Sequence, residues 1–330
     1  MKRGVHSAGG GGGIAILAAS LAFLSGPPAS ARTSPTKRRA VMSETSEKVP
    51  EFDSVEYTTE GGPDLGLGLH ETETRLRIDL ATRAAFLNRH QPTSPEGGEA
   101  LGTFRTTLAP ALITDLRAAL GHADLAHVPT GTGGGPGTSV IQIRAKHGAK
   151  SVAASFSSRD MAIREKLEKL LSLLDDAVGA TTQHPFQAIR LELEARKGST
   201  PAAFTIKIKN VGTETIAVPD LETLAREPGQ ERDHGLGVRV APNPPERPGF
   251  TAPPLVWSRV AMPPLAPTPE PRKPIILPPG GERTIQTAGL TGAPPLIAQA
   301  FFSFYAGPPI VDGHLMIRGH ALSPGLDITH

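Results

Sequence analysis

Short runs in which apolar and polar residues alternate recur along most of this chain, and they favour a β-rich fold. Residues 75–80, 141–145, 189–196 and 204–208 each place apolar side chains on one face and polar ones on the other. Alternation with a period of two is typical of a strand that buries one face. The chain contains no cysteine, so no disulfide can hold these strands together and stability must come from buried apolar cores.

The pattern of residues 51–180 predicts an α+β domain, a mostly antiparallel sheet with two helices. Strand-like runs come first, and a helix is expected to begin at Pro110 and to end with Gly121 as its C-terminal glycine. A hairpin should then turn at His147-Gly148. A single helix with an apolar face from Ile163 to Val178 completes the order of elements. Strands followed by helix, hairpin and helix indicate a sheet covered on one face.

Residues 185–325 predict a second domain, an all-β sandwich. Seven or more short strands are separated by turn signals, and one of the strands is expected to cover Leu315–His320. The turn at Asn210-Val211-Gly212 and the later turn at residues 277–282 are similar to those of many bacterial immunoglobulin-like modules. The resemblance implies an immunoglobulin-like architecture and no particular activity. The boundary between the two domains is expected at residues 179–185.

The first 31 residues predict a secretory signal peptide. Lys2 and Arg3 precede an apolar run from Ile14 to Leu24, and the small residues Ala29-Ser30-Ala31 follow it. This order predicts cleavage after Ala31, a polar tail over 32–50, and export to the periplasm, cell surface or medium. The apolar run would cover only about half of a ~30 Å hydrocarbon core, so no permanent membrane anchor is expected. The alternative is translation from Met42, which would leave the protein in the cytoplasm.

The charge distribution argues against a nucleic-acid partner. The formal net charge is +2, but residues 1–39 hold six Lys and Arg and no acid, and subtracting those six leaves −4 for the rest. A mildly acidic body has no field that would steer phosphates toward it. The absence of cysteine also excludes thiolate nucleophiles, cysteine zinc sites and a lipoprotein anchor.

No motif in the sequence predicts catalysis, a cofactor or a metal. The glycine-rich run 131–137 is interrupted by a proline and leads into a strand, so it fails the phosphate-loop pattern. His122 and His127 have no evident third ligand. His314 and His320 would share a face of one strand, and Asp312 is their only carboxylate at metal spacing. We therefore expect no catalytic residues, no cofactor and no metal site.

Residues 52–178 carry a family resemblance. A strand that ends in Gly61-Gly62, a helix start with the pattern Leu-x-Pro, the hairpin at His147-Gly148 and a leucine-rich last helix follow one another. Together they are similar to emfourin, a small bacterial inhibitor of thermolysin-like metalloproteases. The resemblance implies inhibitory activity, a protease partner, and partner contacts at Gly61, Gly62 and Pro63. Two long loops, Asn88–Glu99 and Gly131–Gly137, depart from the pattern.

These observations predict an exported, non-enzymatic module that binds another protein. The more specific form of this prediction is inhibition of a metalloprotease. A structural or envelope-associated protein that displays the first domain is one alternative, and an enzyme with an unrecognised site is another. Alternation places Phe301 and Tyr305 on the face opposite to Phe302 and Phe304. If that outer face is uncovered, it would be a partner surface.

The outward basic residues of the first domain offer a second surface. Arg75, Arg77, Arg144, Lys146 and Lys150 would form a basic face of the sheet. The alternative is that they are only its solvated side.

Overall fold

A computed structural model describes ten segments of the chain. They are residues 51–61, 74–91, 96–128, 139–196, 203–225, 235–242, 258–263, 273–289, 296–305 and 308–328. All belong to one compact unit, Lys48–His330. The predicted signal peptide and polar tail, residues 1–50, lie outside the described residues, as does the glycine-rich run 131–137.

The first half of the described chain contains six strands and three helices. In chain order these are β1 (Ser54–Glu60), β2 (Thr74–Asp79), β3 (Ala84–Arg89), β4 (Leu101–Thr107), α1 (Pro110–His122), β5 (Val140–His147), β6 (Lys150–Ser157), α2 (Met161–Lys166) and α3 (Glu168–Thr182). A single 3-10 turn at Leu125–His127 follows α1. The alternation read from the sequence holds in β2, where Leu76 and Ile78 are buried while Arg75 and Arg77 are exposed.

The helices and the β5–β6 hairpin confirm two sequence predictions and correct two others. Pro110 does begin α1, and the hairpin does turn at His147-Gly148. The helix does not end with Gly121 as its C-terminal glycine; it runs to His122 and closes through the backbone N–H of Ala123, which bonds to Ala119. The predicted single last helix is interrupted at Leu167, where φ is −106° and ψ is 8°.

The second half of the described chain is built from strands of two to eleven residues and one helical turn. Its elements are β7 (Pro185–Ala195), β8 (Phe204–Asn210), β9 (Ile216–Val218), α4 (Leu221–Leu224), β10 (Gly235–Pro242), β11 (Ser258–Arg259), β12 (Ile275–Leu277), β13 (Glu282–Gln286), β14 (Leu296–Phe304), β15 (Ile310–Val311), β16 (His314–Met316), β17 (Gly319–Leu322) and β18 (Leu326–Ile328). The predicted strand Leu315–His320 is wrong: Ile317 bonds to Ala217, and the chain then enters a different sheet.

The strands form three sheets, and nearly all pairs are antiparallel. The largest sheet has nine strands in the order β13-β8-β7-β4-β3-β2-β1-β5-β6. A second follows β11-β10-β14-β17 with β18 beside β14, and a third follows β12-β9-β16-β15. Only the β9–β16 pair among the described strands is parallel. The predicted β-rich, mostly antiparallel architecture is therefore confirmed.

The nine-stranded sheet runs through the predicted domain boundary, because β4 pairs with β7. Two hydrophobic cores nevertheless lie on either side of that junction. The first is formed by buried residues of 52–188 and packs β1–β6 against α1 and α3. The second is formed by residues 189–328 together with Leu101 of β4. The nine-stranded sheet therefore contributes strands to both cores.

Candidate functional site

The sequence placed the partner contacts at Gly61, Gly62 and Pro63. Gly61 follows the last residue of β1, is partly exposed, and has φ +73°, a conformation that glycine adopts without strain. Gly62 and Pro63 lie outside the described residues. A partner contact in this region therefore stays a prediction.

The face of the sheet opposite to the helices carries exposed charged and aromatic side chains. Helices α1 and α3 pack on one face of β1–β6, so the alternate residues of each strand point the other way. The register aligns four of these across neighbouring strands: Glu56, Arg77, Phe86 and Arg105. The side chain of Phe86 is 45% exposed, one of four large apolar side chains that lie open to solvent among the described residues.

Arg105 lies between two phenylalanine rings on this open face. Its guanidinium carbon is 5.1 Å from the centroid of the Phe86 ring and 3.7 Å from that of Phe186. Cations bind the electron-rich face of such rings, and the stack restricts all three side chains. We call Phe86, Arg105 and Phe186 the Arg105 cluster. It comes from three adjacent strands, β3, β4 and β7.

The open face of the sheet carries basic side chains: the register places Arg75, Arg77, Arg144 and Lys146 on the same face as Glu56. Lys150 pairs with His147 and lies on the other face, so its predicted place in the basic face is wrong. The side chains predicted to form a basic face, Arg75, Arg77, Arg144, Lys146 and Lys150, are all exposed. An ion pair of 3.7 Å joins the Nε of Arg75 to Glu56, so part of the positive charge is compensated.

The outer face of β14, which carries Phe301, is covered. It therefore does not meet the condition under which it was predicted to be a partner surface. Phe301 is fully buried and lies 5.2 Å beneath the guanidinium of Arg259, while Tyr305 at the end of the strand is 46% exposed. The same outer face carries buried polar groups: Arg239, Gln299, Ser303 and His320. The side-chain oxygen of Gln299 accepts hydrogen bonds from Nε and Nη2 of Arg239.

The connection between β3 and β4 seals the free edge of β17. The backbone carbonyl of His90 accepts a bond of 2.7 Å from the N–H of His320, and the N–H of Gly98 donates one of 2.8 Å to Leu322. Gln91 donates to the hydroxyl of Tyr305 at 3.1 Å. The insertion that departs from the emfourin pattern thus contacts the second half of the protein.

The connection approaches the second sheet closely. Gly97 has φ +74°, and a Cβ placed on it would lie 2.1 Å from the carbonyl oxygen of Ser323. The amide of Gln299 donates to the carbonyls of both Ser323 and Glu96. Gln299 therefore links Arg239 in the interior to the connection.

His320 is the most perturbed titratable group of this region. Its side chain has no exposed surface, and neither ring nitrogen has a hydrogen-bond partner among the described residues. Desolvation by burial, helped by the positive charge of Arg239, lowers the pKa of His320 from its usual value to about 3. The imidazole is therefore neutral at pH 7 and is held in a place where a proton is strongly disfavoured.

A second buried hydrogen bond joins the sheet to α3. The Tyr57 hydroxyl donates to the carboxylate of Asp175 at 3.1 Å. Burial raises the pKa of both groups, so the phenol keeps its proton. This contact positions α3 on the sheet.

The histidine pairs noted in the sequence do not assemble into a larger cluster. His127 bonds to Asp124 at 2.7 Å on an exposed turn, and His314 and His320 lie on strands of different sheets. Within the described segments no group of three or more His, Asp and Glu side chains is placed to hold a metal ion.

Comparisons with known proteins give no relatives. No protein-family model, no curated protein and no solved structure matches this chain. Among the described residues, no helix is long and apolar enough to cross a membrane.

Sequence reasoning missed Arg105, Phe186 and the contacts of the β3–β4 connection. Strand β4 had not been predicted, so the outward position of Arg105 was not seen. The signal available was weak: Thr103, Arg105 and Thr107 alternate with Phe104, but a glycine precedes the run and Thr106 stands where a second apolar residue would be expected. The neighbours of Arg105 come from β3 and β7, and no local pattern shows that these two strands flank β4.

Proposed function

We propose that this chain is an exported, non-enzymatic module that binds another protein through the open face of its nine-stranded sheet. The observation that carries the proposal is the Arg105 cluster. Arginine and aromatic side chains are enriched among residues that dominate binding energy at protein interfaces. In this cluster they are held rigid before any partner arrives, so little side-chain entropy is lost on binding.

The charges on the open face indicate the chemistry of the partner. Arg77, Arg144 and Lys146 are exposed on the same face, so we propose a protein that presents carboxylates around an apolar or aromatic side chain. Opposite charges across an interface raise the association rate and exclude partners of the wrong sign.

A pull-down with the purified full chain from culture supernatant tests this proposal. The variants Arg105→Glu and Phe86→Ala should each lose the captured protein. Arg283→Glu, an exposed arginine on the edge strand β13 of the same sheet, is the matched control and should keep it. Circular dichroism establishes that the three variants are folded. Capture that all three variants retain would contradict the proposal, even if a partner is found.

A narrower version of the function is inhibition of a thermolysin-like metalloprotease. It rests on the resemblance of residues 52–178 to emfourin and on the left-handed backbone of Gly61 beside β1. An inhibitor needs a preorganised loop that enters the cleft without being cut, and Gly61-Gly62-Pro63 suits this because proline resists the extended pairing of substrates. Titration of the protein against a panel of such proteases tests it. Unchanged peptide hydrolysis at micromolar protein, or rapid cleavage at Gly61-Gly62, would remove this version only.

We also propose an immunoglobulin-like sandwich for the second half. Its support is the second core, to which β7 and β8 of one sheet and β10 and β14 of another contribute apolar residues. A display protein of the envelope and an enzyme with an unrecognised site remain alternative predictions. Export itself rests on the three-part leader in the sequence.

A further inference from the structure

Strand β6 is an edge strand of the nine-stranded sheet, and it pairs only with β5 among the described strands. A two-residue turn joins these strands, so the pair that closes the turn, His147 and Lys150, is hydrogen-bonded. Alternation from that pair directs the backbone N–H and C=O groups of Ser151, Ala153 and Ser155 away from β5. No backbone bond from another described segment reaches these three residues. The outer edge of β6 therefore offers donors and acceptors to a further strand.

The features that usually protect an edge strand from pairing are missing from β6. Natural edge strands are short, bulged, or interrupted by prolines and charges. Strand β6 has eight residues, its register with β5 is continuous, and residues 151–157 contain no proline, glycine or charged side chain. The opposite edge strand, β13, has five residues and carries Glu282 and Arg283. Of the two edges of this sheet, β6 is the one suited to accept another strand.

The side chains of β6 leave room on the open face of the sheet. The register places Ser151 opposite Lys146 and Ala153 opposite Arg144, so these residues share the open face. Ser151 and Ala153 are exposed, and Ser155 is half-buried. All three side chains are small, so an added strand would approach the β6 backbone without a bulky group in its way.

Two cations on β5 define the charge of the expected occupant. Arg144 and Lys146 are exposed, and neither takes part in an ion pair among the described residues. An added strand would lie two strand spacings, roughly 9.6 Å, from β5. Long charged side chains can cross that gap, because only the small side chains of β6 lie between. The arrangement favours Asp and Glu at alternate positions, with apolar residues between them beside the partly buried Val152.

A second copy of this chain fits the edge less well. Residues 150–157 hold one lysine and no acid. Pairing of β6 with another β6 would place Arg144 and Lys146 of both copies along one strip of the sheet, without a carboxylate from either β6 between them. Like charges in such an arrangement exclude the wrong partner. The same cations therefore disfavour self-pairing and favour an acidic strand.

We propose that the outer edge of β6 binds an extended acidic segment of another protein as an additional β-strand. Backbone bonds to Ser151, Ala153 and Ser155 supply affinity, and ion pairs with Arg144 and Lys146 select the segment. The site is separate from the Arg105 cluster, because β3, β2, β1 and β5 lie between β4 and β6. It uses two of the basic side chains of the open face but does not depend on what the Arg105 cluster binds.

Binding of synthetic peptides to the purified full chain tests the proposal. The probe is a fluorescein-labelled heptapeptide of alternating Glu and Val, and fluorescence anisotropy at pH 7 measures its affinity. We expect saturable binding that weakens in about 1 M NaCl, since salt screens exposed charges. The same peptide with Lys in place of Glu should bind at least tenfold more weakly. No binding of the acidic peptide at about 1 mM, or equal binding of the two peptides, would overturn the proposal.

Two N-methylated forms of the acidic peptide separate strand pairing from simple charge attraction. One is methylated on the backbone nitrogen of every Glu and the other on that of every Val. Alternate N–H groups of a strand point to the same side, so only one of these peptides loses its bonds to β6. The affinities of the two should therefore differ at least tenfold. A smaller difference would contradict strand addition.

A charge-reversal variant locates the bound peptide on the protein. Arg144→Glu should bind the acidic peptide roughly tenfold more weakly, whereas Arg283→Glu, at the opposite edge of the same sheet, should bind it as the wild type does. Circular dichroism establishes that both variants are folded, and if Arg144→Glu is not, the methylated peptides on the wild type decide. Equal affinities of the two variants would overturn the proposal. A dimer of the full chain that excludes the peptide would assign the edge to a second copy and would also overturn it. The assay contains no natural partner, so its outcome is independent of the pull-down.

Discussion

The Gly102→Ala substitution should show how much the close pairing of β4 with β7 contributes to the free energy of unfolding. Gly102 has φ +130°, which costs a residue with a side chain about 1–3 kcal/mol. A Cβ at this position would lie 2.2 Å from the carbonyl oxygen of Gln187 and 2.8 Å from Cα of Ala188. Both of these atoms are backbone of β7, so the clash is relieved only by moving the strand. Each hydrogen bond lost in that movement costs about 1 kcal/mol, and a total of about 3–5 kcal/mol is expected.

Urea unfolding of the full chain, followed by two probes, measures this effect. Gly148→Ala is the matched control, since Gly148 also has positive φ but a Cβ there would meet no atom within 4 Å. It should cost only about 1–2 kcal/mol. Equal costs for the two variants, or a Gly102→Ala cost below 1 kcal/mol, would refute the claim that β4 and β7 depend on close backbone approach.

Other positions give further expected outcomes. The stability contributed by neutral His320 is present above pH 6.5 and is lost as pH falls toward 3, because the pKa of the folded state is lowered. The free energy of unfolding should therefore fall by about 2 kcal/mol between pH 7 and pH 5 in the wild type but not in His320→Gln, as measured by thermal or urea unfolding. Leu170→Ala should cost about 2–5 kcal/mol, because that side chain is 2% exposed, and a smaller cost in urea unfolding would contradict its place in the core. N-terminal sequencing of the protein from its natural source should give a sequence that begins at or near Arg32. An intact Met1 or a start at Met42 would contradict the prediction of export.

Local patterns predicted the elements that local chemistry determines. The hairpin of β5 and β6 was readable because its strands alternate and a glycine stands at the turn, where φ is +54°. The start of α1 was readable because proline suits the first helical turn. The end of α1 was not, because Gly121 makes no left-handed turn and the chain closes on Ala119 instead.

Contacts between distant strands could not be predicted in the same way. Strand order depends on pairings such as β4 with β7, and no turn signal specifies which strands meet across a sheet. The Arg105 cluster needs three strands in that order and in one register. The two histidines His314 and His320 were assigned to one strand because apolar residues continue between them, but Ile317 bonds to β9 and separates two sheets.

Separation of the chain between Thr182 and His184 tests the two-domain prediction against the continuous sheet. Each half keeps its own core, so fragments 51–182 and 184–330 should each unfold cooperatively. The cut also leaves β4 and β7 without each other and parts the β3–β4 connection from β17. Unpaired strand edges pair readily with a matching strand, so the two fragments should bind when mixed. Gel filtration and calorimetry measure this association.

Gly102→Ala in the first fragment should weaken the association at least tenfold, while Gly148→Ala should leave it unchanged. The reason is that Gly102, unlike Gly148, faces the backbone of β7, where Gln187 and Ala188 would collide with an added methyl group. If neither fragment is stable alone, the two cores form one folding unit and the division near residue 180 is wrong. If both are stable but do not associate at tens of micromolar, then the β4–β7 pair and the contacts of the β3–β4 connection with β17 add little free energy beyond covalent linkage.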